Sequence, residues 1–171
     1  MNNSYIYTNI IRIILLLFIQ IFILDIIPFG YFYIMIYPCA ILLLPVAMNR
    51  TLVVIIAFIC GLILDLFSNG HGLHTASLTL LGYLRFFILK YFQPKSGWDK
   101  LDVPNLYQQG INWFINYVLL SIFVHHTYYF FLESFSAYSI FSTLKRLVLS
   151  IILSTISIIL INLFFLKENK H

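Results

Sequence analysis

Long apolar runs separated by short polar stretches dominate this chain. Six runs approach the about 20 apolar residues that a helix needs to cross a bilayer. The runs cover residues 10–27, 31–48, 52–67, 73–92, 111–132 and 147–166. One more helical turn is expected before the sixth run, from about Ile140. This pattern predicts an all-α integral membrane protein with six transmembrane helices in one bundle, so that residues 1–171 form a single polytopic membrane domain.

Breaks in the pattern predict where helices bend or end. The first run contains Gln20 and Asp25, and Pro28 follows it. It is expected to remain as a span, because no basic cluster precedes it and no small-residue cleavage site follows. The second run contains Pro38 and Pro45, which predicts a kinked helix whose freed carbonyls are satisfied by neighbouring helices.

Composition supports the membrane class and excludes others. Of the 171 residues, 61% are hydrophobic and 9% are charged, whereas soluble domains average about 45–50% and about 25%. No separate soluble domain fits in so little polar sequence. The net charge of +4 therefore bears on membrane orientation, and a nucleic-acid partner is not expected. Cys39 and Cys60 lie inside apolar runs and are expected to act as small hydrophobic residues.

The distribution of basic residues predicts the orientation. With six spans and the N-terminus inside, two basic residues, Lys145 and Arg146, fall outside and seven fall on the cytoplasmic side. The seven are Arg12, Arg50, Lys90, Lys95, Lys100, Lys167 and Lys170. This excess predicts that both termini are cytoplasmic. It also places Asp25, Asp65 and Glu133 at the outer ends of spans.

Asp65 is the acidic residue that most needs an explanation, since a carboxylate cannot reach far toward water. Gly61, one turn earlier on the same helix face, allows another backbone to approach closely. An ion pair with Lys145 or Arg146 would explain why these two bases lie outside. Hydration of Asp65 at the interface is the alternative. Its candidate partners on the outer side are His71, His74, Lys145 and Arg146.

Arg85 is a basic residue deep inside the fourth run, and its charge also needs an explanation. It lies 85 − 73 = 12 residues into that run, roughly 18 Å deeper than the run's first residue, so Asp65 is not its expected partner. We expect the long Arg85 side chain to snorkel toward the cytoplasmic end. A buried pairing role is the alternative.

Chemistry-bearing residues do not form a recognisable catalytic set. His71, His74 and Asp65 carry donors that suit zinc, but no fourth ligand is spaced to match, so neither a metal nor a cofactor is expected. His125 and His126 lie about 100° apart on a helix and are expected to face different contacts. Hydrolase, metalloprotease and phosphate-loop motifs are missing, which argues against an enzyme. The hydroxyl groups of the fourth and sixth runs are expected to bond neighbouring elements; they belong to Thr75, Ser77, Thr79, Ser150, Ser154 and Ser157.

The stretch GLILDLFSNGHGLHTASLTLLGYLR, residues 61–85, resembles the signature region of the bacterial rod shape-determining MreD family. In that family a Gly-x-x-x-Asp motif, here Gly61 and Asp65, leads through a short glycine-bearing turn into the next span. That span ends in a Gly-Tyr-like pair, here Gly82-Tyr83. The turn itself contains Gly70 and Gly72. The likeness extends over the whole chain in length, span count and short polar tails.

The resemblance implies a non-enzymatic protein of the bacterial inner membrane that takes part in cell elongation. Its expected partners are MreC and, indirectly, MreB, RodA and penicillin-binding protein 2, in addition to membrane lipid. The family is also similar in span arrangement to the S components of energy-coupling-factor transporters. Capture of a small metabolite for transport is therefore the alternative function. Small residues near the signature turn are expected to form the docking face for a partner helix: Gly61, Gly72, Ala76 and Gly82.

Overall fold

Every regular element in the computed structural model is a helix, over the described residues 3–27, 30–95, 97–99, 102–134 and 140–165. Helix α1 continues directly into a π-helical segment, Gln20–Leu24. The helices are α1 (Asn3–Ile19), α2 (Pro38–Leu42), α3 (Arg50–Ser68), α4 (Leu73–Tyr91), α5 (Leu106–Gln109), α6 (Ile111–Ser134) and α7 (Ile140–Phe165). Pro28, Lys100, Leu166, Lys167 and Lys170, which the sequence predictions used, lie outside the described residues.

Four helices in the described part of the chain are long and apolar enough to cross a membrane, which indicates a membrane protein. These stretches confirm apolar helices in the first, third, fifth and sixth runs. The expected extra turn is also confirmed, because α7 begins at Ile140. The four stretches are Tyr7–Leu24, Arg50–Ser68, Ile111–Ser134 and Phe141–Phe164.

Helix α4 occupies the fourth run but is not among these four stretches. It has 19 residues, as many as α3, so its length is sufficient. His74, Arg85 and Lys90 make it more polar than its neighbours. Helix α4 packs along α3 on one side and along α6 on the other.

The prediction of one kinked helix for the second run is wrong. Residues 31–48, which we call the central segment, contain only the short helix α2 between non-helical stretches. Proline explains where α2 ends, since Pro45 has no N–H to donate and its ring would clash with the carbonyl of Ile41. Every residue from Met35 to Pro45 is buried. The central segment thus fills the middle of the bundle as largely irregular backbone.

The central segment runs the length of the bundle. Tyr33 lies near the turn between α3 and α4, whereas Met48 lies near the first residues of α3. We call these two ends of the molecule the turn end and the opposite end.

Two glycines bring α3 and α4 together. A Cβ added to Gly61 would lie 2.5 Å from the Thr75 Cα, and one added to Gly82 would lie 2.8 Å from the Ala57 Cβ. Both glycines are buried between the two helices. The prediction that they form an external docking face is therefore wrong. Gly72 is exposed and Ala76 partly buried.

Gly82→Ala is expected to lower the free energy of unfolding by about 1–3 kcal/mol, because overpacking forces helices apart. The new methyl group would meet Ala57, so the double variant Gly82→Ala/Ala57→Gly should recover part of the loss. Sodium dodecyl sulfate titration of the protein in mild detergent measures both values. Wild-type stability of the single variant would contradict this packing.

Candidate functional site

The Asp65 carboxylate binds the first turn of α4. Its Oδ1 accepts a hydrogen bond from the His74 N–H at 3.1 Å, and its Oδ2 accepts one from the Thr75 N–H at 2.8 Å. The Thr75 hydroxyl also donates to Oδ2, at 2.5 Å. These amides are among those that a helix leaves unpaired at its N-terminus, where the helix dipole also favours a negative charge. Asp65 on α3 therefore caps α4 from a neighbouring helix.

The turn between α3 and α4 explains why this cap must come from elsewhere. Gly72 occupies the N-cap position of α4 with φ 88° and has no side chain that could accept a hydrogen bond. Asn69 and His71 also have positive φ, 53° and 50°. Gly70 permits the close approach, because a Cβ there would collide with the Asp65 carboxylate and lie 2.8 Å from the His74 ring.

The predicted ion pair of Asp65 with Lys145 or Arg146 is wrong. Arg146 pairs instead with Glu133, at 3.2 Å between Nη2 and Oε1. The Lys145 ammonium lies 4.6 Å from the centre of the Phe141 ring. These two bases thus have partners on α6 and α7, and Asp65 neutralises the end of a helix rather than a cation.

The two histidines beside Asp65 occupy different environments. His71 is exposed in the turn, and His74 is only 5% exposed. No group of three or more His, Cys, Asp or Glu side chains within the described ranges is placed to hold a metal ion. Of the candidate partners of Asp65, His74 does bind it, but through its backbone N–H.

Side chains of the π-helical segment and of α7 bind the irregular backbone of the central segment. Ser154 Oγ accepts from the Met35 N–H at 2.9 Å, and Ser150 Oγ accepts from the Tyr33 N–H at 2.9 Å. Gln20, 1% exposed, accepts from the Ile36 N–H at 2.8 Å and donates to the Ile34 carbonyl at 3.1 Å. These bonds satisfy backbone groups of the non-helical central segment that would otherwise be buried without a hydrogen-bond partner.

Cationic and phenolic side chains bind the carbonyls at the end of α2. Arg85 donates to the carbonyls of Leu42 and Leu44, and Arg12 donates to that of Leu43 at 2.7 Å. Tyr117 also donates to Leu42, at 3.0 Å. The prediction that neighbours satisfy the freed carbonyls is confirmed. The snorkelling expected of Arg85 is wrong, since this side chain is 3% exposed and points to the buried backbone.

A chain of buried polar side chains joins α4, the central segment, α6 and α7. The Tyr37 hydroxyl lies 2.8 Å from His74 Nδ1 and 3.1 Å from His125 Nε2. His125 Nδ1 lies 3.3 Å from His126 Nδ1, and His126 Nε2 lies 3.1 Å from Ser154 Oγ. The Tyr37 hydroxyl also lies 3.6 Å from Met35 Sδ. Because a hydroxyl has one proton and two lone pairs, Tyr37 donates to at most one of the two imidazoles.

His125 and His126 face different contacts, as expected, but their rings also lie beside each other. Both are 0% exposed, because the buried face of α6 is two residues wide. Adjacent positions are buried in pairs along this face: Tyr117 and Val118, Ser121 and Ile122, His125 and His126, Tyr129 and Phe130. His125 faces Tyr37 and His126 faces α7, and their rings meet between these contacts.

Tyr37→Phe is expected to lower the free energy of unfolding by about 1–3 kcal/mol, since two buried imidazole nitrogens lose their partner. Tyr83→Phe is the matched control, because Tyr83 is 48% exposed and should change stability by less than about 0.5 kcal/mol. Detergent unfolding of both variants tests the difference. Equal stabilities would show that the Tyr37 hydroxyl contributes nothing.

A cavity of about 440 Å³ lies at the turn end. His74 lines it and is also the first member of the buried polar chain. Asp25, Tyr33, His71 and Tyr129 contribute further polar or aromatic surface. A small polar molecule that entered this cavity would therefore meet a hydrogen-bonded path into the bundle.

Tyr83 of the signature stretch lies on the outer face of α4, where it is 48% exposed. The Arg50 guanidinium lies 4.0 Å from the centre of its ring.

In comparisons with family models, curated proteins and solved structures, no match was found.

Proposed function

We propose that this protein is a non-enzymatic component of the bacterial cell-elongation machinery, similar to MreD, in the inner membrane. It would hold MreC and, through this partner, MreB, RodA and penicillin-binding protein 2 for lateral wall growth. The resemblance of residues 61–85 to the family signature supports this proposal. The four apolar helices are consistent with the membrane location.

The observation that favours a scaffold is that buried polar side chains bind the backbone of the protein itself. Asp65, Arg85 and Gln20, which interrupt the apolar runs, all bind backbone of their own chain. These residues stabilise one arrangement of helices and central segment. A bundle held in this way offers partners a fixed outer surface, because buried hydrogen-bond networks make one packing arrangement rigid.

The outer surface of α3 offers a stripe for a partner helix. Phe58, Leu62 and Leu66 follow one another at four-residue spacing and are 46%, 42% and 72% exposed. Helices already in lipid associate by close packing, so an exposed stripe on a rigid helix is a suitable docking surface. This stripe replaces the buried Gly61 and Gly82 as the proposed contact with MreC.

Site-specific photo-crosslinking in the living host tests the proposal. A photoreactive residue at Leu62 or Leu66 should capture MreC, whereas one at Ile152 on α7, also exposed at 48%, should not. Capture at Ile152 alone would move the contact to α7. Capture only of the ATPase-coupling subunits of a vitamin transporter would contradict the scaffold.

The proposed topology keeps six passes, the second of which is the irregular central segment. An even number of passes places both termini on one side, and the excess of basic residues favours the cytoplasm. Reporter fusions after Leu166 and within residues 94–105 should both report a cytoplasmic position. A periplasmic signal from either fusion would contradict this topology.

Capture of a small metabolite is the second candidate function, because the cavity at the turn end has the polar and aromatic lining that such a site needs. Mass spectrometry of the protein purified from native membranes distinguishes the two. A stoichiometric metabolite lost on Tyr129→Ala substitution would favour capture over scaffolding.

A further inference from the structure

A second cavity, of about 300 Å³, lies at the opposite end, far along α4 from the signature turn. It is bounded by the start of α3, the second half of α4 and the stretch after α4. Its volume falls at the lower end of the roughly 300–1,000 Å³ of small-molecule sites. Three cationic side chains line it, from Arg50, Arg85 and Lys90, together with Gln93 and Trp98. No carboxylate is among its lining residues in the described part of the chain.

Two buried guanidinium nitrogens at this cavity have no hydrogen-bond partner among the described residues. They are Nε of Arg85 and Nη2 of Arg50. Arg85 is 3% exposed, and its Nη2 group is already bonded to Leu42 and Leu44. Buried cationic donors are normally paired, because an unpaired buried charge is strongly unfavourable. The unpaired donors therefore point to an anionic ligand.

We propose that this cavity binds a phosphate group, carried by an anionic phospholipid or by a soluble phosphate compound. Guanidinium groups match phosphate oxygens in geometry and donate charge-assisted hydrogen bonds, and Lys90 adds a third positive charge. The Gln93 amide supplies a neutral polar contact, whereas the Trp98 indole N–H already donates to the Leu89 carbonyl at 3.3 Å and leaves its ring to line the cavity.

The surface beside the cavity suits the acyl chains of a lipid. Tyr83, Phe86 and Phe87 on α4 are 48%, 50% and 45% exposed, and Phe86 also lines the cavity. The Arg50 guanidinium lies 4.0 Å from the Tyr83 ring centre and 4.7 Å from that of Phe87. A phospholipid could place its headgroup among the cations and its chains along these rings, whereas a soluble phosphate would use the cations alone.

Native mass spectrometry of the delipidated full-length protein tests the site with three probes. These are phosphatidylglycerol, dioleoylglycerol as an uncharged lipid with similar chains, and inorganic pyrophosphate. The test variant is Arg50→Gln/Lys90→Gln, since neither side chain donates a hydrogen bond within the described residues. The control is Lys95→Gln/Lys145→Gln, which removes two exposed charges outside the cavity.

We expect wild type and control to bind phosphatidylglycerol or pyrophosphate with equal Kd, and the test variant to bind at least about tenfold more weakly. If phosphatidylglycerol binds and neither dioleoylglycerol nor pyrophosphate does, the site takes a lipid headgroup. Binding of pyrophosphate, with competition against the lipid, assigns a soluble phosphate. Equal Kd in all three proteins, or no binding of either phosphate probe by the wild type, would overturn the proposal.

Discussion

Gln20→Met is expected to lower the free energy of unfolding by about 2–6 kcal/mol, because two buried backbone groups lose their partner at about 1–3 kcal/mol each. These groups are the N–H of Ile36 and the carbonyl of Ile34. Methionine is similar to glutamine in length and volume, so the effect reports the lost hydrogen bonds rather than a cavity. Unfolding in mild detergent by sodium dodecyl sulfate titration measures the change.

Gln93→Met is the control for this substitution. Gln93 is exposed two residues after the end of α4, and its replacement should change stability by less than about 0.5 kcal/mol. If Gln20→Met were as stable as the Gln93 variant, the side chain of Gln20 would not hold the central segment.

Asp65→Ala is expected to lower the free energy of unfolding by about 2–4 kcal/mol, since it removes a charged acceptor from the N-terminus of a helix. The amides of His74 and Thr75 and the Thr75 hydroxyl would lose their partner. Asp65→Asn should lose less, because an amide oxygen can still accept. The exposed Asp99 gives the control, Asp99→Ala.

A double-mutant cycle separates this cap from an ion pair. Asp65 binds the first turn of α4, whereas Arg146 pairs with Glu133. The effects of Asp65→Ala and Arg146→Ala should therefore add within about 0.5 kcal/mol. A larger coupling energy would support direct pairing and would contradict the cap.

Helix positions could be predicted well from the sequence, because a long apolar run with few charges has few other stable forms in a membrane. The start of α7 at Ile140 and the end of α3 before Asn69 agree with the local sequence pattern. The central segment could not be predicted in this way. Its apolar run satisfies the same criterion as a helix, and Pro38 and Pro45 indicate a kink as readily as an irregular path.

Distant residues decide the conformation of that segment. Its amides bind Ser154 and Gln20, which lie 119 residues after Met35 and 16 residues before Ile36. No local pattern around the segment contains this information. The expectation that hydroxyls of the sixth run bond neighbouring elements indicated Ser154, but not the backbone that it would bind.

The sequence indicates Asp65 and His74 as candidate residues of the signature stretch but does not indicate their contacts. The Asp65 carboxylate caps a helix, and the His74 imidazole lies beside the Tyr37 hydroxyl. The lack of a side chain at the N-cap residue Gly72 was a usable signal, because it leaves the first turn of α4 without a local acceptor. The pairing of His125 with His126 required knowledge of both helices that pack on α6.

Amide hydrogen exchange at Met35 and Ile36 tests most directly whether polar side chains of the helices hold the central segment. The full-length protein in lipid nanodiscs should show slow exchange at both amides, although neither is in a helix. Gln20→Met should accelerate exchange at Ile36 more than at Met35, and Ser154→Ala should do the reverse, because each removes one specific acceptor. Fast exchange at both amides in the wild type, or identical effects of the two substitutions, would contradict the account.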